Sequence, residues 1–292
     1  MTDNLKFNVS PFQRLLLLLL TTVLGYIVAS VIAYFMQRGG LTASKLFIST
    51  VVQDVLLFIL PAFVTAIFIT RQPADFLGVS RQPGINNIIL AALCLLVAIP
   101  AMNMIIDWNA HLQLPDSMSD IERWMKRMET ETGNTIAMMV NGESVMSLVM
   151  LILVVGIMAG FSEELFFRGT IQRMMITARV NAHVAIWITA IIFSAIHMQF
   201  YGFVPRMLLG AMFGYMAWWS GSLWPAITGH ITNNTVAAIV MWMKARGASS
   251  PVTQIDTIGA DSFSLTAASL IFTGACLLAI YISCKKLSHE RH

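Results

Sequence analysis

Charge is scarce in this chain. Only 11% of its 292 residues are Asp, Glu, Lys or Arg, while 57% are hydrophobic, and a soluble domain carries about 25% charged residues. The shortage excludes a water-soluble fold, a nucleic-acid-binding module and an unfolded chain. Cysteine is scarce too. Cys94, Cys276 and Cys284 lie in or beside apolar stretches, with no CxxC pair and no clustering with His, so they carry little information on redox compartment. The net charge of +3 is too small to imply an acidic partner. The basic residues fall mostly in short connections and read as topology signals. No internal repeat is visible, and no low-complexity segment beyond the apolar runs themselves.

Those runs have the length of membrane spans, which need about 20 predominantly apolar residues. The pattern predicts an all-α, polytopic membrane protein of about eight transmembrane helices, at about 14–37, 46–70, 84–106, 144–176, 183–201, 204–220, 222–243 and 263–284. Lys6 and Arg14 precede a Leu-rich, uncharged run of about 23 residues, longer than a signal-peptide core, so it reads as a retained first span. The fourth span exceeds what lipid alone accommodates, and its second half, with Arg168 and Arg173, requires protein shielding. An even number of spans puts both termini on one side. The 18 Lys and Arg divide 10 to 8 in favour of cytoplasmic termini, a narrow margin under the positive-inside rule. The whole chain, 1–292, reads as a single membrane domain in the bacterial cytoplasmic (inner) membrane.

One sizeable polar connection, 107–143, interrupts the spans. Ile121, Trp124, Met125 and Met128 fall at i, i+3, i+4 and i+7, while Glu122, Arg123, Lys126 and Arg127 face elsewhere, with Pro115 and Asp116 as a start signal. This is the pattern of an amphipathic helix lying in the membrane interface, or equally of a lid packed on the bundle.

Ionisable groups within spans are expensive and mark functional sites by default. They form a short set: Phe161-Ser-Glu-Glu-Leu-Phe-Phe-Arg168, Phe193-Ser-Ala-Ile-His197 and His230-Ile-Thr-Asn-Asn234. Asp54 is a further carboxylate, read as buried and hydrogen-bonded. Neighbours on a helix point about 100° apart, whereas i and i+4 share a face. Glu164 therefore lies over Arg168, acid first, the better ion-pair orientation. Glu163 points elsewhere, without that counter-ion, and is the candidate general base. His230 and Asn234 project together. If spans four and five turn near Val180, Glu163 and His197 sit at one depth. Further turns near Gly202 and Gly221 bring Asn234 to the same level and His230 within about one helical turn. Taken singly, either His more often merely packs a helix; the convergence of Glu, His, His and Asn raises the functional reading. Span six also carries Gly210-Ala-Met-Phe-Gly214, a small-residue face that permits close helix approach.

These residues resemble the CPBP intramembrane proteases, also called the Abi or CAAX-protease family, which includes the Ras-converting CAAX endopeptidase. The family pattern of Glu-Glu-x-x-x-Arg, Phe-x-x-x-His and His-x-x-x-Asn appears in order at Glu163, Glu164 and Arg168, at Phe193 and His197, and at His230 and Asn234. The resemblance covers a catalytic core at about 140–243. It implies hydrolysis of a peptide bond in a membrane-associated or lipid-modified peptide or protein. Glu163 and His197 would activate water, His230 and Asn234 would stabilise the oxyanion, and Arg168 would hold Glu164. Oxyanion donors in a low-dielectric site are worth about 3 kcal/mol each. Ser162 and Ser194 have no triad-type base, which disfavours an acyl-enzyme. No cofactor is expected. The alternative is a zinc site built from Glu163, His197 and His230, although the helical His-Glu-x-x-His is absent. A non-catalytic bacteriocin-immunity or scaffold protein is a second class, and a small transporter, lacking visible repeats and mid-membrane breaks, ranks last.

Overall fold

The computed structural model of the chain describes residues 9–140 and 144–289; Lys6 and the end of the polar connection at Glu143 lie outside them. Among the described residues every regular element is helical, with no strand. The long elements are α1 (Pro11–Gln37), α2 (Ala43–Ile69), α3 (Ile85–Ala110), α4 (Ser119–Val140), α5 (Val145–Thr177), α6 (Ala182–Ala195), α7 (Phe203–Ser220), α8 (Trp224–Ala245) and α9 (Phe263–His289). Five of these, α1, α2, α3, α5 and α9, are long and apolar enough to cross a membrane.

Local sequence explains the boundaries. Ser10 caps α1 reciprocally with Gln13, and Thr42 caps α2 through the Lys45 amide; both satisfy amides that a helix start leaves without partners. Gly221, at φ 63°, ends α7 in the left-handed conformation that glycine adopts at little cost. Inside α3, Pro100 cannot donate to the helix ladder. Ser269 of α9 enters the opening beside it, its hydroxyl accepting from the Ala101 amide (3.2 Å) and donating to the Val97 carbonyl (2.6 Å). A proline kink is thereby turned into a tie between helices.

The fifth predicted span is shorter than expected. α6 stops at Ala195 rather than reaching 201, and Met198 takes φ 55°. His197 therefore lies on the turn that follows the helix, not within it. The amphipathic helix α4 has two differently packed halves. Its first half leaves Ile121 and Trp124 exposed, with the Trp124 ring 5.2 Å from Phe200. Its last turn buries Met139 and Val140 against Leu46, Phe47, Leu151 and Val154.

α5 is the axis of the molecule. It runs through two stretches of wider π turns, Leu151–Met158 and Phe167–Gln172, of the kind that recurs at functional sites. Its second half is shielded by protein: Phe167, Arg168, Gly169, Thr170 and Gln172 are all buried. Two pairs of glycines set its neighbours. A methyl on Gly160 would lie 2.9 Å from the Ile231 side chain and 3.2 Å from its amide nitrogen, and one on Gly156 would lie 2.9 Å from the Thr235 hydroxyl. α5 and α8 therefore meet along glycine, four residues apart on one helix against four apart on the other. On α7, Gly210 and Gly214 expose carbonyls that accept from Arg168 (2.8 Å) and Gln172 (3.0 Å) of α5. The small-residue face of α7 is thus a docking strip for two polar side chains of α5.

These contacts predict opposite outcomes for two Gly→Ala changes. Gly160→Ala should cost about 1–3 kcal/mol, the usual penalty for overpacking, because Ile231 backbone must move. Gly274→Ala on α9, where the added carbon meets nothing within 4 Å, should gain about 0.5–1 kcal/mol from restricted backbone freedom. Thermal melting of both variants in one detergent tests the pair; a fall for Gly274→Ala or no change for Gly160→Ala would contradict the packing described.

Candidate active site

Glu164 is fully buried and is held from two sides. One of its carboxylate oxygens accepts from Arg168 Nη1 at 2.6 Å and from His230 Nδ1 at 2.8 Å. The first contact is the i to i+4 pair expected from the spacing. The second is one that the sequence does not reveal, because it joins α5 to α8 across 66 residues. The Arg168 guanidinium is further fixed over the Phe193 ring at 4.6 Å, a cation–π contact, and by its bond to the Gly210 carbonyl. Phe193 also lies edge-on to His197 and His230, with centroids at 5.0 and 5.8 Å. Phe213, outside the predicted set, stacks on His230 at 5.0 Å and 14°. The arginine, two phenylalanines and Glu164 together leave His230 one orientation.

Glu163 faces away from Arg168. Its Oε2 stands 3.7 Å from His230 Nε2 and 4.0 Å from His197 Nε2, and it has no hydrogen-bond partner within the protein although it is buried. Each histidine turns its other nitrogen to an acceptor: His197 Nδ1 to the Phe193 carbonyl at 2.7 Å, His230 Nδ1 to Glu164. An acceptor at Nδ1 assigns the proton there, so both neutral rings direct a bare Nε2 at a carboxylate. Three acceptor atoms gathered so closely call for a shared donor.

Asn234 bridges α8 to α5. Its side-chain nitrogen donates to the Val155 carbonyl at 3.1 Å, in the first π stretch of α5, and its oxygen accepts from Asn233 at 3.2 Å. One amide hydrogen is therefore committed to the backbone and the other is left for the cavity that Asn233 and Asn234 both line. The spacing of glycines at 156 and 160 was the signal for this close approach of α5 and α8. Asp54 is buried, with one oxygen lacking a partner, and its other contact is the Ser162 hydroxyl. Ser194 donates to the Phe203 carbonyl at 2.6 Å, and no imidazole or amine stands behind either serine.

The Glu163, His197 and His230 side chains open on a cavity of about 1230 Å³, apolar over most of its wall. It is framed by Leu18 and Leu19 of α1, Leu57 and Phe58 of α2, Ile99 and Met102 of α3, and by Thr132 and Ile136 of α4. Among the described residues no group of three or more His, Cys, Asp or Glu is arranged to hold a metal ion.

The stretch from the start of α5 to the middle of α8, residues 145–236, matches the family model described as Type II CAAX prenyl endopeptidase Rce1-like. This segment resembles that family. It contains every charged and polar group of the site from Glu163 to Asn234, and agrees with the CPBP resemblance carried by the three motifs. A curated relative, "Uncharacterized protein YpbD" of Bacillus subtilis (strain 168), is 27% identical over 86 residues. That match takes in 28% of this chain and 41% of the relative, so the chain spans less than half of that protein's length. No solved structure matches. The family so described is one of CAAX prenyl endopeptidases, and the match together with the five long apolar helices suggests a membrane protein.

Proposed function

We propose that the chain is an intramembrane endopeptidase of about eight spans in the bacterial cytoplasmic (inner) membrane, cutting a peptide bond in a membrane-associated or lipid-modified peptide. In this reading α6, α7 and α8, of 14, 18 and 22 residues, supply the three spans beyond the five long apolar helices. The observation that carries the reading is the unpartnered Glu163 carboxylate facing two imidazole nitrogens at 3.7 and 4.0 Å at the wall of a large apolar cavity. A water seated among these three acceptors donates to two of them. Glu163, with His197, draws off a proton as the oxygen attacks the carbonyl carbon, which is general-base catalysis. The proton then passes to the departing amine. His230, held at Nδ1 by Glu164, shares that same proton at Nε2 while it is in transit, and with the remaining N–H of Asn234 stabilises the developing oxyanion.

The reaction proposed is metal-free. His230 and His197 each have the outer hydrogen bond that metal-bound histidines also show, so chelation belongs in the test. Purified protein in nanodiscs is offered prenylated and unmodified apolar peptides, with and without a chelator. Cleavage unaffected by chelation is expected. Cleavage abolished by chelation and restored by zinc would transfer Glu163, His197 and His230 to a metal. No cleavage from folded protein would move the assignment to the immunity or scaffold class.

A further inference from the structure

Arg206 is the sole Lys or Arg among the described residues that line the cavity. It rises from the first turn of α7, and its two Nη groups are held by Gln199: Nη1 donates to the Gln199 carbonyl at 3.3 Å and Nη2 to its Oε1 at 2.7 Å. Those bonds use two of the five N–H groups of a guanidinium. Among the described residues no carboxylate is within ion-pairing distance of it. The contrast is with Arg168, which is buried and has Glu164 at 2.6 Å, whereas Arg206 is half-buried. Glu129 of α4 and Glu163 reach Arg206 only through their fields.

A half-buried cation at an apolar cavity wall with no direct ion pair is costly, and such charges are normally paired. Gln199, two residues beyond His197, does not neutralise the charge; it fixes the direction of the fork. Nothing in the packing of α7 requires arginine there, since a neutral side chain could make the same bonds to Gln199. A planar guanidinium with free N–H groups is matched to a carboxylate, which it binds in two parallel hydrogen bonds.

We propose that Arg206 binds a carboxylate of the substrate close to the cleaved bond. The inference rests on the peptidase reading for what occupies the cavity. Arg206 and His197 flank the connection between α6 and α7 and both line the cavity, which puts the bound carboxylate on the same side of the cavity as the scissile bond. Two sources supply the same chemistry: the free C-terminus of a peptide cut near its end, or an acidic side chain. Arg206 is then a specificity residue that sets which bonds are cut, while Glu163 sets whether they are cut.

The test uses one apolar, lipidated peptide in four forms: free C-terminal acid, C-terminal carboxamide, and the carboxamide with Glu or with Gln near the bond. Binding and kcat/KM are measured for wild type, Arg206→Gln and Arg206→Lys in nanodiscs, with melting temperatures to confirm folding. Wild type should favour a carboxylate form over its neutral partner by about 10- to 100-fold, the range for hydrogen bonds to charged groups, chiefly through KM. Arg206→Gln should bring that ratio to about one, and Arg206→Lys should keep part of it. A preference for free acid over carboxamide identifies the terminus; a preference for Glu over Gln identifies the side chain. Equal handling of all four forms by wild type, or an unchanged ratio in Arg206→Gln, overturns the inference. Glu163-dependent cleavage indifferent to carboxylate leaves the peptidase reading standing alone. Arg206-dependent binding of the carboxylate forms without any cleavage sinks the peptidase reading and keeps the anion site.

Discussion

Glutamine in place of Glu163 is expected to lower kcat by about 10²- to 10⁴-fold, the usual contribution of a positioned general base, without lowering the melting temperature. The two halves of the result have one cause. Glu163 Oε2 accepts no hydrogen bond in the protein although it is buried, so its carboxylate contributes nothing to the fold that an amide of the same shape does not. The amide even supplies a donor toward His230 Nε2, 3.7 Å away. What the amide cannot do is accept a proton from water. Steady-state cleavage of an apolar peptide and a melting curve, run on the same preparation, check both halves. Activity within a fewfold of wild type would remove Glu163 from the chemistry, and a large loss of stability would mean that its carboxylate has a structural partner.

The division of labour between the adjacent glutamates was legible from helix geometry, because a 100° step sends neighbours to different faces. Span positions were legible for a similar reason: uncharged runs of span length are conspicuous in sequence, and α1, α2, α3, α5 and α9 lie close to where the runs are. Other features leave no such trace. α6 ends before His197 although Phe193-Ser-Ala-Ile-His197 contains no glycine or proline; the break is made by Met198 at positive φ, which tertiary contacts decide. The wide turns of α5 have no residue signature either. They matter because the Val155 carbonyl, in one of them, takes up a hydrogen of Asn234, the residue to which the family resemblance gives an oxyanion role. His230 illustrates the limit most directly. Its pairing with Glu164 depends on which way α8 is rotated, and that rotation is set by Gly156 and Gly160 against Thr235 and Ile231, a contact between segments far apart in the chain.

Glu164→Gln is expected to be more damaging than Glu163→Gln in stability and as damaging in activity, and a double variant separates the two effects. Glu164 and Arg168 have no side-chain exposure, so solvent does not screen the pair, and breaking a buried pair costs about 3–5 kcal/mol because the other charge is stranded. Removing both charges strands neither. Glu164→Gln with Arg168→Met should therefore recover much of the stability lost in the single variant, since apolar replacements of buried pairs are often close to neutral; losses at the Gly210 carbonyl and the Phe193 ring limit the recovery. Activity should not return. His230 Nδ1 would face an amide oxygen or nothing in place of a carboxylate at 2.8 Å, and the imidazolium that the oxyanion needs would lose the charge that supports it. Melting temperatures and kcat for the two singles and the double form a complete cycle. Recovery of both quantities in the double variant would reduce Glu164 to a counter-ion for Arg168. Recovery of stability without activity would assign it the orientation and charge of His230, the same relation of buried acid to imidazole that positions the histidine of a catalytic triad.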